Sequence, residues 1–207
     1  MNFLLEICLF IPLDQAINDS CNPFDCDNMD LNDFFNNDAV NYSEQLLGKS
    51  HCFVLEENPC EVVCAFTVSN DSINVGDMPN NRKKRLLRGV PRAKHMRRYP
   101  AVLIGRLGVN KNFQGSKIGT ELMNFIKSWF VHFGNKTGCR YIVVDAYNEE
   151  RALRYYEKNG FDCIFSTEEQ EINHTGACED KPLATRLMYF DLIQLKSDPS
   201  PETEEAI

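Results

Sequence analysis

The chain has 207 residues, of which 43% are hydrophobic and 25% are charged. Such a length is typical of one domain with a sizeable core, and such a composition excludes a chain that is disordered throughout. The formal net charge is −8, yet the nine Lys and Arg of residues 82–98, hereafter the basic segment, are accompanied by no acid, which leaves −17 on the remainder. A patch of this kind is either a solvated loop or a footprint for a polyanion.

The first apolar run, Phe3 to Leu13, predicts a β-strand. Glu6 interrupts it, and it has neither the preceding positive charges nor the small-residue cleavage site of a secretion signal. No stretch approaches the roughly 18 uninterrupted apolar residues of a membrane-spanning helix. We therefore expect a cytoplasmic protein without a membrane partner.

The sequence of the N-terminal half predicts a helix followed by a β-hairpin. Asp30 precedes apolar residues at helical spacing and is expected to be a helix N-cap. Residues 51–56 and 61–69 are typical of two strands joined across Asn58 and Pro59. The basic segment follows as a long connection.

The C-terminal half alternates strands with helices, which predicts an α/β fold. The predicted elements are a strand at 101–109, a helix at 117–131, a strand at 140–146, a helix at 149–158, a strand at 161–166 and a strand at 185–192 that closes the sheet. One domain is expected over residues 1–196. Residues 197–207 are acidic and contain proline, which indicates a disordered tail.

The nine cysteines form no C-x-x-C pair, and the four histidines are isolated. We therefore expect buried free thiols and no metal site. A four-thiolate alternative rests on two loosely spaced pairs, Cys21 with Cys26 and Cys60 with Cys64.

The segment that links the 101–109 strand to the next helix contains small residues. Backbone N–H groups and the positive end of a helix dipole converge at such a turn, which suits a pyrophosphate. The residues placed to bind it are Gln114, Gly115, Ser116, Lys117, Ile118, Gly119 and Thr120. Taken alone, Gly115 and Gly119 are equally consistent with tight turning and helix packing.

Two motifs resemble the GNAT acetyltransferases. Residues 114–119 (QGSKIG) are similar to the family's Q/R-x-x-G-x-G/A, and residues 152–161 (ALRYYEKNGF) to its A-x-x-x-Y-E-K-x-G-F. The resemblance covers about residues 100–192. It implies the GNAT fold, with a mixed central sheet of about six to seven strands flanked by helices on both faces, and an N-acetyltransferase that uses acetyl-CoA. Lys117 departs from the pattern, since the family usually has glycine there.

The resemblance also implies roles for individual residues. Leu107, Gly108 and Val109 would pair with the pantetheine arm, Val109 N–H would polarise the thioester, and Tyr156 would support departure of the thiolate, while Tyr155 would be a core residue. Asn148 either bonds the pantetheine arm or caps the second helix. Many family members carry a glutamate general base on the 101–109 strand, but this chain has Arg106 and no carboxylate there. The general base is therefore unidentified, and water or a group of the substrate could serve.

The N-terminal half and residues 103–109 (LIGRLGV) resemble the toxin branch of the superfamily. That resemblance implies aminoacyl-tRNA as the amine acceptor, a small antitoxin partner, and a basic surface that includes Arg92, Arg97 and Arg98. Acceptor pockets in the family are built from variable loops, here residues 14–29 and 76–99. The oligomeric state is open between monomer and homodimer.

Two other functions are consistent with the sequence, and a third is disfavoured by it. The chain could be a small-molecule or protein N-acetyltransferase, in which the basic segment is only solvated. It could also be a catalytically silent module that binds coenzyme A, although Tyr156 argues against this. A nucleotide-binding α/β protein outside the family conflicts with the motif at residues 152–161.

Overall fold

The computed structural model describes residues 2–91, 96–135, 137–176 and 182–196. The predicted tail at 197–207 lies outside these residues, as do Arg92, Lys94 and Cys178. The helices are α1 Phe3–Ile7, α2 Gln15–Ser20, α3 Met29–Asp33, α4 Ala39–Glu44, α5 Asn80–Leu86, α6 Ile118–Val131, α7 Glu150–Lys158 and α8 Glu168–Thr175. A π-helical turn at Phe34–Asp38 joins α3 to α4, and 3-10 turns occupy Lys111–Phe113 and Leu192–Lys196.

Seven strands form one mixed sheet. They are β1 Cys8–Pro12, β2 Lys49–Leu55, β3 Val62–Asn74, β4 Arg98–Val109, β5 Tyr141–Tyr147, β6 Asp162–Cys163 and β7 Thr185–Asp191. Their order is β1-β2-β3-β4-β5-β7-β6, and only the β4–β5 pair is parallel. The predicted α/β class is confirmed.

Helices cover both faces of the sheet, because alternate residues of its central strands are buried in different cores. On β5, Ile142 and Val144 pack with α1, α6 and α7, and this side is hereafter the first face. Tyr141 and Val143 point to the second face, where they pack with α5. A third core beneath α2, α3 and α4 lies around Phe35 and Ala39.

Several predicted elements are corrected by the structure. Residues 3–7 are helical rather than extended, with Asn2 as N-cap, and only Cys8–Pro12 is a strand. Asn28, not Asp30, caps α3 by accepting a hydrogen bond from Leu31 N–H. The 161–166 strand shortens to Asp162–Cys163 and forms the sheet edge, so β7 is an interior strand and does not close the sheet. Helix α8 was not predicted.

Candidate active site

Strands β4 and β5 separate partway along their length. Their parallel pairing ends at Ile104 and Val144, whereas β4 continues to pair with β3 as far as Val109 and Cys64. The β3–β4 register shifts between Thr67 and Val68, which leaves Gly105 as the extra residue of a bulge. Beyond the bulge, the β5 side of β4 is an open strand edge.

The open edge presents the backbone of Leu107 and Val109. Asn110 N–H donates to Val63 O of β3 at 2.9 Å. Because successive N–H groups of a strand point in opposite directions, those of Leu107 and Val109 point away from β3. An extended chain could pair there as an additional strand. Gly108 is different, because its backbone faces β3 and a side chain there would collide with Phe24, 3.0 Å from the position of a Cβ.

The loop before α6 holds an array of backbone donors. Within the described residues, the N–H groups of Gly115, Ser116, Lys117, Ile118 and Gly119 have no hydrogen-bond partner, and residues 115–117 are exposed. The N–H group of Thr120 does not belong to this array as predicted, because it donates to Lys117 O at 2.9 Å. An array of this kind at a helix N-terminus binds phosphate well.

Lys117 takes the backbone conformation for which glycine is normally used. Its φ is +66° and its ψ is 6°, in the left-handed region, and the preceding Gly115 has a φ of +80°. For a non-glycine residue this conformation costs roughly 1–2 kcal/mol. The loop therefore keeps the shape expected of the motif despite the departure at Lys117.

Side-chain hydrogen bonds of Gln114 and Arg151 hold the loop before α6 in place. The Gln114 amide donates to Cys26 O at 3.0 Å and to Val109 O at 3.1 Å, which ties the loop to the end of β4. Arg151, in the first turn of α7, donates to Gln114 Oε1 at 3.4 Å. This brings a guanidinium to the anion-binding loop, and only the tertiary contact between α6 and α7 reveals it.

Helix α7 is fixed to α6 by two contacts. The Tyr155 hydroxyl donates to Gly119 O, in the first turn of α6, at 2.6 Å. Further along α6, Lys127 Nζ donates to Asn159 O, the C-cap of α7, and lies 3.9 Å from the centre of the Phe190 ring. Burial lowers the pKa of Lys127 to about 8. These contacts assign Tyr155 to the core, as expected.

Tyr156 is the next residue of α7 and is partly buried on the first face, against Phe161. Within the described part of the chain, its hydroxyl makes no hydrogen bond. Burial raises the pKa of Tyr156 to about 12, and the charges of Tyr147 and Asp145 on β5 add to this effect. Tyr156 therefore remains protonated at neutral pH and can donate a proton.

Asn148 does not cap α7, because the N-cap is Glu149 and no side chain bonds there. The Asn148 amide donates to Glu168 Oε1 at 3.0 Å and to Leu183 O at 2.9 Å. Those bonds tie the end of β5 to α8 and the start of β7. Only the Asn148 side-chain oxygen is left for a ligand, so its pantetheine role stays a prediction.

On the second face, α3 bridges the two separated strands. Asp30 accepts a hydrogen bond from the Tyr147 hydroxyl of β5 at 3.1 Å and lies 3.9 Å from Arg106 Nε of β4. The Arg106 guanidinium also lies over the Phe34 ring, 5.2 Å from its centre. Asp30 thus acts as a bridge across the opening, a function that sequence alone did not indicate.

The basic segment borders this second face through α5, whose Leu86 packs beside Tyr141 and Val143. Arg82 and Arg85 are structural, because they bond to the backbone of Cys163 and Ile164 and to Asp162. In the described part of the basic segment, the exposed cations are Lys84, Arg85, Arg88, Arg97 and Arg98. Of the predicted substrate residues, Arg97 and Arg98 are exposed, while Arg92 lies outside the described residues.

Among residues 2–91, 96–135, 137–176 and 182–196, no group of three His, Cys, Asp or Glu side chains could hold a metal ion, and the cysteines there are free thiols. No helix in the same ranges is long and apolar enough to cross a membrane. The open strand edge and the free amides, by contrast, fit the pantetheine and pyrophosphate of acetyl-CoA.

Comparison with known proteins agrees with this geometry. The family model of the acetyltransferase (GNAT) domain matches residues 48–163, more than half of the chain. No curated protein sequence matches the chain.

Solved structures share the fold at low sequence identity. A tyrosine-to-phenylalanine mutant of KacT is 17% identical, with a TM-score of 0.62 over 92% of this chain and 98% of KacT. AtaT in complex with acetyl-methionyl-tRNAfMet is 17% identical, with a TM-score of 0.61 over 91% of this chain and 97% of AtaT. An AtaT mutant toxin bound to the C-terminus of the antitoxin AtaR is 15% identical, with a TM-score of 0.60 over 92% and 97%.

The family match spans β2 to β6 and includes the separated strands, the amide-bearing loop and the helix of Tyr156. The chain therefore belongs to the GNAT family of acetyltransferases, which take the acetyl group from acetyl-CoA.

Proposed function

We propose that this acetyltransferase transfers the acetyl group to the α-amine of an aminoacyl-tRNA, and that a small antitoxin restrains it. The observation that carries the proposal is the position of the basic segment, which borders the second face, where the separated strands open. Similarity to toxins whose structures include tRNA and antitoxin complexes supports the same choice.

Acetyl-CoA would lie between the amides before α6 and the open edge of β4. The N–H groups of Gly115 to Gly119 would bind its pyrophosphate, with Lys117 and Arg151 adding positive charge. The N–H groups of Leu107 and Val109 would bind the pantetheine arm and polarise the thioester carbonyl. The bound donor supplies an activated acyl group, and Tyr156 would protonate the leaving thiolate.

The basic segment would contact phosphates at a distance from the reacting amine. Arg98 begins β4 and the bulge at Gly105 lies seven residues further, so about 23 Å separates them at the rise of a strand. A small amine at the opening could not reach Arg97 and Arg98, whereas a nucleic acid could contact both ends. The acidic remainder of the chain would confine RNA to this surface.

The test of the acceptor offers the enzyme labelled acetyl-CoA with charged tRNA, uncharged tRNA, free amino acids or polyamines. We expect label only in charged tRNA. A variant with Ala at Lys84, Arg88 and Arg97 should bind charged tRNA more weakly, and its affinity should depend on salt with a slope lower by about three units.

The matched control replaces the exposed Lys49 and Lys158, which lie outside the basic segment, and should retain the wild-type slope. Labelling of polyamines or free amino acids in preference to charged tRNA would establish the small-molecule alternative. An enzyme that binds acetyl-CoA and labels no amine would support the silent module.

A further inference from the structure

Asp145 is the first residue of β5 beyond the last pair with β4. Tyr141 and Val143 share its side of the strand, and both point to the second face. Asp145 is exposed there, and within the described residues its carboxylate accepts no hydrogen bond. A free carboxylate therefore stands on the second face where the strands part.

The two sides of the opening carry different chemistry. Tyr156 lies on the first face, where burial raises its pKa and the charges of Tyr147 and Asp145 add to the effect. An amine that attacks a thioester and the thiolate that leaves need a proton acceptor and a proton donor at different positions around the carbonyl carbon. Tyr156 and Asp145 meet this requirement from opposite faces.

We propose that Asp145 is the proton acceptor for the amine, in place of the carboxylate missing from β4. The proposal rests on acetyl transfer at this opening, as given under the proposed function, but not on the identity of the amine.

The step conserves atoms and charge. Asp145 takes one proton from the ammonium group, and the freed electron pair forms the C–N bond to the thioester carbon. When the tetrahedral intermediate collapses, the C–S bond breaks with its electron pair on sulfur. Tyr156 protonates the thiolate and is reprotonated by the second proton of the nitrogen, so that Asp145 later releases one proton to solvent.

Other acids near the opening are less suited to this step. Asp30 is engaged by Tyr147 and Arg106. Glu171 is buried in an ion pair with Arg186 at 2.7 Å and accepts from Leu187 N–H. Asp71 belongs to β3, two strands away from β5 in the sheet. Of these carboxylates, Asp145 combines exposure with a position directly after the end of the β4–β5 pairing.

The surroundings of Asp145 favour its protonated form. Asp145 keeps its exposure on the second face, but partial desolvation by the surrounding protein raises its pKa. The negative charges of Asp71 and Glu171 raise the pKa further, and Arg106 has a smaller opposite effect. A base with a raised pKa holds the proton better. The titratable or charged groups facing it are Asp71 of β3, Arg106 of β4, Tyr147 of β5, Tyr156 of α7, Glu171 of α8, Arg186 of β7 and Asp30 of α3.

The experiment compares Asp145→Asn with wild type on whichever amine the wild type acetylates best. We expect kcat to fall by at least about 100-fold, with unchanged calorimetric affinity for acetyl-CoA. In Asp145→Asn, the decrease of kcat/KM at acidic pH should follow only the pKa of the amine. Asp71→Asn removes a like charge, lowers the pKa of Asp145 and should move the wild-type acid limb to lower pH. Glu149→Gln, an exposed carboxylate at the start of α7, is the control and should behave as wild type.

A second measurement is independent of turnover. The Asp145 carboxyl, followed by carbon NMR in protein saturated with coenzyme A, should titrate above the ordinary aspartate value and shift downward in Asp71→Asn. Wild-type kcat in Asp145→Asn, or an Asp145 carboxyl that titrates as in a free peptide, would overturn the proposal. Failure to acetylate charged tRNA while another amine reacts would refute only the acceptor.

Discussion

The Tyr155 hydroxyl donates a hydrogen bond of 2.6 Å to the carbonyl of Gly119, across the interface between α7 and α6. Gly119 leaves room for this contact, because a Cβ there would lie only 3.1 Å from the Tyr155 ring. The contact positions the amide-bearing loop relative to the helix of Tyr156. Two adjacent tyrosines therefore have separate tasks, and exchanging each for phenylalanine should distinguish them.

Tyr155→Phe should lower the free energy of unfolding by about 1 kcal/mol, because one hydrogen bond is lost. The KM for acetyl-CoA should rise while kcat stays within about threefold of wild type. Denaturant unfolding and steady-state kinetics measure both. A large loss of kcat at unchanged stability would instead make Tyr155 the proton donor.

Tyr156→Phe should lower kcat by about 10² to 10⁴, the usual contribution of a general acid, and leave the calorimetric affinity for acetyl-CoA unchanged. Its unfolding free energy should change little, since the structure gives its hydroxyl no partner within the described residues. Turnover equal to that of wild type would show that the thiolate leaves without help from this residue.

Two substitutions of Lys117 separate the effect of backbone strain on stability from the effect of positive charge on cofactor binding. Lys117→Gly relieves the left-handed conformation and should raise the free energy of unfolding by about 1 kcal/mol relative to Lys117→Ala, which keeps the strain. Both variants lose the same charge, so their affinities for acetyl-CoA should fall equally. An alanine variant as stable as the glycine variant would contradict the observed φ.

The free energy of unfolding should also depend on pH through His51. Its ring is partly buried against Phe10 and Trp129, at centroid distances of 5.2 and 5.0 Å, and neither nitrogen has a hydrogen-bond partner among the described residues. Burial lowers the pKa of His51 to about 4. Between that value and the ordinary 6.5 the unfolded chain binds more protons, so the His51 contribution is complete above pH 6.5 and is lost as the pH falls towards 4.

After allowance for partial exposure, this loss amounts to about 2 kcal/mol. Denaturant unfolding at pH 7 and pH 4.5 should show it in wild type but not in His51→Gln. Parallel pH dependence in the two proteins would mean that His51 binds its proton as readily in the folded protein as in the unfolded chain.

The sequence predicted the C-terminal half of the fold better than the N-terminal half, for local reasons. Helix α6 carries its apolar residues at helical spacing, and β5 begins with an apolar run at 141–144. Residues 3–7 are as apolar as a strand, yet they form a helix because Asn2 caps them and Leu4 N–H bonds to Glu121 of α6 at 3.1 Å. Helix α8 escaped prediction because its sequence, EEQEINHT, is mostly polar.

The site was predictable only where motifs are local. The loop at 114–119 and Tyr156 belong to short motifs, whereas Asp145, Arg151 and the Asp30 bridge depend on which strands and helices become neighbours. Thr120 and Gly108 were predicted to bind the cofactor because of their position in the sequence. Whether a backbone N–H can bind a ligand depends on its direction, which is set by the register of the strand or helix.

The central claim is that one groove, formed by the loop before α6 and the open edge of β4, holds acetyl-CoA. Amide hydrogen exchange with and without acetyl-CoA tests it most directly, because those N–H groups have no partner among the residues that the structure describes. We predict slower exchange at residues 115–119 and at Leu107 and Val109, with little change in β1 and β2. Saturated binding that leaves exchange at these amides unchanged would contradict the account.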